Sequence, residues 1–110
     1  MPELPEVETV TNSIKKHLLD KGFKSLVVNW DKTLHNFSIE DFNNQIKNKQ
    51  IKDIYRRGKF ILFDFERCIM AVHLRMTGKL YVKTEIDRSK KHISLYLSFN
   101  NKYLIFEDTR

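Results

Sequence analysis

The chain has 110 residues, 41% of them hydrophobic and 12% aromatic, which suits one domain with a modest core and excludes intrinsic disorder. Twenty Lys and Arg against fourteen Asp and Glu give a formal charge of +6 and a pI near 9.5; nucleic acid is the first candidate partner, although basic surfaces are common in proteins that bind none. A lone cysteine, Cys68, excludes an internal disulfide and a cysteine metal cluster and fits a reducing compartment such as the cytoplasm, while the lack of a basic-then-apolar leader or a long apolar run argues against export and membrane insertion.

The first stretch, Met1-Pro2-Glu3-Leu4-Pro5-Glu6, supports two readings. If Met1 is removed, Pro2 presents a secondary amine beside a carboxylic acid. An α-amino group titrates at about pH 8, against about 10.4 for lysine, so a useful fraction is neutral and nucleophilic without burial. Such an amine attacking the aldehyde form of a sugar gives an iminium with no N–H proton to lose, and its charge draws electrons from the neighbouring carbon. The plainer reading is a helix start, with proline in the first turn and acids at the positive end of the dipole. It accounts for Pro5, Glu6 and Glu8 but gives no reason for Pro2 followed by Glu3.

From there Val7, Val10, Ile14 and Leu18 recur at helical spacing, predicting an amphipathic helix from about Pro5 to Leu19 that closes near Gly22. This helix would hold its leading residues at a fixed place on the surface. Ser25 to Trp30 reads as a strand; Ser38 with Asp41 caps a short helix to about Ile46, with Phe42 and Ile46 facing inward. Strands are then expected over Ile51–Tyr55, Lys59–Glu66, Ile69–Met76, Lys79–Lys83, Ile93–Phe99 and Tyr103–Asp108. The run from Phe60 to Leu62 predicts a strand that is central or buried on both faces. Asn100-Asn101 is a hairpin turn, since asparagine tolerates positive φ, and Glu85–Lys91 is a polar stretch long enough for a mobile loop. Its charges read equally well as a solvated loop or as phosphate contacts beside a DNA groove. The fold class is mostly β with flanking helices, a β-sandwich or flattened barrel with a long N-terminal helix.

Met1-Pro2-Glu3-Leu4-Pro5-Glu6-Val7-Glu8-Thr9 resembles the N-terminal signature of formamidopyrimidine-DNA glycosylases. Arg56-Arg57-Gly58-Lys59-Phe60, His73-Leu74-Arg75-Met76-Thr77-Gly78 and Asp108-Thr109-Arg110 resemble that family's later blocks in order and spacing. The resemblance implies a bifunctional DNA glycosylase and AP lyase of base-excision repair that removes oxidised purines such as 8-oxoguanine and formamidopyrimidines. Pro2 would be the Schiff-base residue, Glu3 the proton donor, and Glu6 a further carboxylate near the site, although helix capping explains Glu6 equally well. Lys59 would bind phosphate beside the lesion and donate a proton during β-elimination; the local alternative is a lysine guarding a strand edge. Arg57 would add a sequence-independent phosphate contact. His73 to Gly78 ends a strand in a tight turn with Met76 at its tip, and Met76 would enter the duplex where the flipped base had been, against the ordinary reading that strand alternation buries it. His73 is implied as part of the DNA-contacting block, though its residue type and place suit a strand residue with a local hydrogen bond. His92 and Lys91 would contact phosphate, but the family commonly has two histidines in this loop and here there is one. Arg110 would read the opposite base.

The resemblance implies that residues 1–110 are the isolated N-terminal catalytic domain, expected to be weak or inactive alone, with a helix-two-turn-helix and usually a zinc finger lying beyond Arg110. Any zinc would belong there, and no metal or cofactor is expected in this chain. The implied partner is double-stranded DNA containing oxidised purines or abasic sites, bound by a monomer in the cytoplasm of a bacterial-type cell. Two other readings remain open: a tautomerase-like enzyme using the N-terminal proline as a general base, and a non-catalytic nucleic-acid-binding β-sandwich.

Overall fold

The computed structural model describes residues 3–30, 33–34 and 36–109. Helix α1 (Leu4–Leu18) follows an extended Glu3, which occupies the N-cap position, and it buries Val7, Thr11, Ile14 and Leu18. Val10 packs at the margin of the core. Thr11 joins the apolar stripe because its hydroxyl donates to the Val7 carbonyl at 2.7 Å, which satisfies the one polar atom it carries inward. The helix ends earlier than expected. Asp20, not Gly22, adopts the left-handed conformation that turns the chain (φ 66°), and Gly22 instead forms a bridge with Gln50.

Strand β1 is Phe23–Val28, two residues ahead of the expected span. Phe23 is fully buried and Trp30 lies beyond the strand, 41% exposed. Helix α2 (Ile39–Ile46) is capped as expected by Ser38, whose side chain accepts from the Asp41 amide, and it buries Phe42 and Ile46. Rings of Phe42, Phe65 and Phe99 meet Phe23 edge-on or nearly so, with centroids 5.3–6.3 Å apart. Such geometry suits the quadrupoles of aromatic rings.

Strands β2 (Asp53–Arg57), β3 (Phe60–Asp64), β4 (Ile69–His73), β5 (Gly78–Lys83), β6 (Ile93–Phe99) and β7 (Lys102–Asp108) complete the fold. They form two sheets, β1-β6-β7-β5 and β2-β3-β4, and the architecture is therefore a sandwich rather than a closed barrel. β3 is central in its sheet but is buried on one face only. Ile61 and Phe63 are fully enclosed while Phe60 is 46% exposed, as period-two alternation dictates. β4 ends at His73 rather than Met76, and β2 starts at Asp53 rather than Ile51. Helix α1 packs against β2 and β5, an edge strand of each sheet, and so covers one side of the sandwich. Asn100-Asn101 is the β6–β7 turn, with Asn101 at φ 61°.

β5 and β6 lie on either side of β7 and run parallel to each other, because both pair antiparallel to it. The connection over residues 84–92 must therefore travel back along the sandwich. It is a loop as expected, with its own turn: the Ser89 amide and hydroxyl donate to Asp87 at 2.9 and 2.6 Å. These bonds, led by that of the Ser89 hydroxyl, hold the Asp87 carboxyl below its ordinary range.

Candidate functional site

Strand registers bring the later motifs to one end of the sandwich. Arg57 pairs with Phe60, leaving Gly58-Lys59 as a two-residue hairpin turn. Gly58 has φ 59° and Lys59 is not in the left-handed region, the pattern of a II′ turn with glycine first. Lys59 thus stands in a hairpin tip and does not begin the strand as the sequence reading had it. Phe60 in turn pairs with His73, so the tip of β2–β3 adjoins the end of β4.

From His73 the chain makes a tight turn into β5. The Arg75 amide donates to His73 Nδ1 at 2.9 Å, which makes Nδ1 the acceptor and leaves Nε2 to carry the proton of the neutral ring. The same ring stacks edge-on against Phe60 with centroids 4.9 Å apart. Arg75 takes a left-handed conformation (φ 59°), and the Gly78 amide closes the turn on the Leu74 carbonyl at 2.8 Å. Any Cβ at Gly78 would drive into that carbonyl, so the turn requires glycine. The result is a projecting Met76, 75% exposed, which removes the reading in which strand alternation buries it.

Across the other sheet, Asp108 at the end of β7 ties three pieces together. It pairs with Gly78, accepts from the Thr77 hydroxyl, and donates its amide to the His92 carbonyl at 2.9 Å. Lys59, His73, Met76, His92 and Asp108 therefore share one end of the sandwich, and Lys91, exposed beside His92, belongs to it. Arg57 is exposed at the end of β2. Pro2 and Arg110 lie outside the described residues. Glu3 and Glu6 are exposed at the start of α1; the Glu3 carbonyl accepts from the Glu6 and Val7 amides, each at 3.0 Å.

Two networks were missed by sequence reasoning, since both join charges far apart in the chain. Arg56 donates through Nε to Glu8 of α1 and through Nη1 to the Gly58 carbonyl at 2.9 Å. The second network anchors the 84–92 connection: buried Glu107 accepts from the Tyr81 hydroxyl at 2.7 Å and from Lys90 Nζ at 3.3 Å. Lys90 also lies 5.5 Å from the Tyr81 ring centre. The Tyr81 hydroxyl holds the Glu107 carboxyl below its ordinary range, assisted by Lys90 and Lys79 and opposed by burial. Burial first, and then Glu107, push the Tyr81 phenol well up. A cue was present in the alternation of β5 and β7, which puts Lys79, Tyr81 and Glu107 on one face, but nothing in it pointed to Lys90.

Among the described residues no group of three His, Cys, Asp or Glu side chains could hold a metal. No helix among them is long and apolar enough to cross a membrane.

The chain is similar to solved structures of Fpg in complex with DNA. One is a Lactococcus lactis Fpg mutant in complex with THF-containing DNA, at a TM-score of 0.90 and 32% identity over 99% of this chain and 40% of that one. Another is the Lactococcus lactis enzyme with FAPY-dG-containing DNA, at 0.89 and 31% over 98% of this chain and 41% of that one. The family model for the formamidopyrimidine-DNA glycosylase N-terminal domain matches residues 1–110, and the chain belongs to that family. Curated relatives named formamidopyrimidine-DNA glycosylase include one from Streptococcus agalactiae, 35% identical over all of this chain and 40% of its own length. One from Ligilactobacillus salivarius is 42% identical over 92% of this chain and 37% of its own. The chain thus spans about two fifths of the relatives it matches.

Proposed function

We propose that this chain is the catalytic N-terminal domain of a bifunctional DNA glycosylase and AP lyase that removes oxidised purines, including 8-oxoguanine and formamidopyrimidines, from double-stranded DNA. The observation that carries this reading is the gathering of Lys59, Met76, Lys91 and His92 at one end of the sandwich. The start of α1, bearing Glu3, is tied to the Lys59 hairpin through Glu8 and Arg56. An exposed methionine on a glycine-closed turn, at the end of the sandwich that carries Lys59 and Lys91, fits insertion into a duplex far better than solvation.

In the proposed reaction the neutral Pro2 amine attacks C1′ of the damaged nucleotide. The bond from C1′ to the base breaks, and the base leaves with its electron pair and takes up a proton. Glu3 exchanges protons with the opening sugar, because it is the carboxyl next to the amine and proton transfer works over hydrogen-bond distance. The resulting iminium at C1′ acidifies C2′; loss of that proton expels the 3′ phosphate, with Lys59 holding the phosphate and protonating the departing oxygen. Water then hydrolyses the iminium and restores the amine. Arg57, Lys91 and His92 fix the backbone without reading sequence, His73 shapes the turn that presents Met76, Glu6 lies close to the reacting end, and Arg110 reads the opposite base. No cofactor takes part in this scheme. We place the protein in the cytoplasm of a bacterium, acting as a monomer.

The test is single-turnover excision of 8-oxoguanine by the full-length protein, with the 110-residue chain run beside it in excess over duplex at low ionic strength. Excision coupled to strand cleavage is expected of the full-length protein and at most weak turnover of the chain alone, and Glu3→Gln in the full-length protein should suppress excision more than cleavage of a preformed abasic site. Equal loss on both substrates would remove the role given to Glu3, and no excision by the full-length protein would contradict the proposal.

A further inference from the structure

We propose that Arg56 is a positioning residue for the reaction: held by Glu8, it sets the Lys59 turn against the start of α1. This rests on the reading of Pro2, Glu3 and Lys59 just given. One planar guanidinium makes both bonds, Nε to the Glu8 carboxylate and Nη1 to the Gly58 carbonyl. A helix rises about 1.5 Å per residue, so Glu8 reports rigidly on the position of Leu4 and of Glu3 just before it. Gly58 is the residue immediately before Lys59, and its carbonyl is part of the peptide that orients Lys59. The nucleophile end and the phosphate lysine lie far apart in the chain, 56 positions from Glu3 to Lys59. Helix α1 is also seated on β2, where Lys15 pairs with Asp53 at 3.0 Å, but Arg56 is the side chain that bonds both α1 and the turn carrying Lys59.

Two simpler roles fit less well. Exposed ion pairs contribute little to stability, and this one is 30% and 50% exposed on its two sides. A phosphate contact is better suited to the neighbouring Arg57, since Arg56 already commits Nε and Nη1 within the protein. The fork geometry matters because a lysine ammonium cannot reproduce two fixed, diverging bonds.

The experiment is borohydride trapping of abasic-site DNA by the 110-residue chain with a free N-terminal proline, measured as a first-order rate at saturating DNA and as the half-saturating concentration. Arg56→Ala, Arg56→Lys and Glu8→Ala should each lower the saturated rate on the order of tenfold, since small misplacements of reacting groups are costly. Half-saturation should stay within about twofold and thermal unfolding close to the native chain, the exposed pair contributing little to either. The double variant Glu8→Ala/Arg56→Ala should be no slower than either single one, because both break the same link. Glu8→Gln, which keeps an acceptor for Nε, should recover most of the rate. Arg56→Lys behaving as the native chain, a loss confined to half-saturation, or additive losses in the double variant would each overturn the proposal. Absence of trapping by the native chain would instead sink the reading beneath it, and this inference with it.

Discussion

At the scale of single residues, Lys59 and Met76 divide stability from function. Met76 is 75% exposed, so Met76→Ala should change unfolding by less than about 0.5 kcal/mol. Under the proposed role it should lower excision of a paired lesion far more than cleavage of a single-stranded abasic site, which has no stack to open. A stability loss with both activities preserved would show that the side chain is structural. Lys59→Ala should weaken DNA binding and reduce the slope of log affinity against log salt by about one, the signature of one lost phosphate contact. An unchanged slope would remove the phosphate role.

At the scale of elements, the two networks fix pieces that the strands alone leave loose. Glu107 lies at the end of β7, and its carboxyl is held below the ordinary range by the Tyr81 hydroxyl with help from Lys90. A depressed carboxylate stabilises the fold above its unfolded pKa of about 4.3, and that stability is lost as pH falls through the lower folded value. Unfolding followed from pH 7 downward should therefore show a loss beginning near pH 5, and Glu107→Gln should flatten that part of the curve while costing on the order of 1 kcal/mol at neutral pH. A variant with the native acid profile would contradict this account of the network. Hydrophobic periodicity made α1, α2 and every strand legible from sequence, because period 3.6 and period 2 are local properties. Its errors were at boundaries: β1 and β2 began two residues away from their expected starts, and β4 stopped at His73. Each of these ends is set by pairing with a distant strand or by turn chemistry. The motifs gave Lys59 and Met76 as residues of interest and Met76 as the tip of a tight turn, but not that Gly58 makes a hairpin of the first or that the Gly78 amide closes the turn of the second on the Leu74 carbonyl. The link from Glu8 to Arg56 was out of reach because opposite charges forty-eight positions apart carry no local pattern.

At the scale of the whole molecule, the core is contained within the described residues, with Ile14, Phe23, Phe63 and Leu104 among its fully buried side chains, so the 110-residue chain should unfold cooperatively. Its grip on DNA should nevertheless be weak. Arg57, Lys59, Lys91 and His92 are fewer than the roughly six to ten phosphate contacts that give strong salt-dependent binding, and bending a site sharply costs on the order of 1–6 kcal/mol. Titrating an 8-oxoguanine duplex at low and at physiological salt should give measurable binding only at low salt. Tight, lesion-selective binding at physiological salt would show that recognition resides wholly in this domain. Covalent capture is insensitive to that weakness, since an irreversible adduct accumulates from brief encounters. The most direct measurement is therefore to confirm by intact mass that Met1 is absent, reduce the chain with borohydride in the presence of abasic-site DNA, and map the modified residue by peptide mass spectrometry. The account predicts a single adduct on the Pro2 nitrogen that disappears when Met1 is retained; an adduct on a lysine, or none with Pro2 verifiably free, would contradict it.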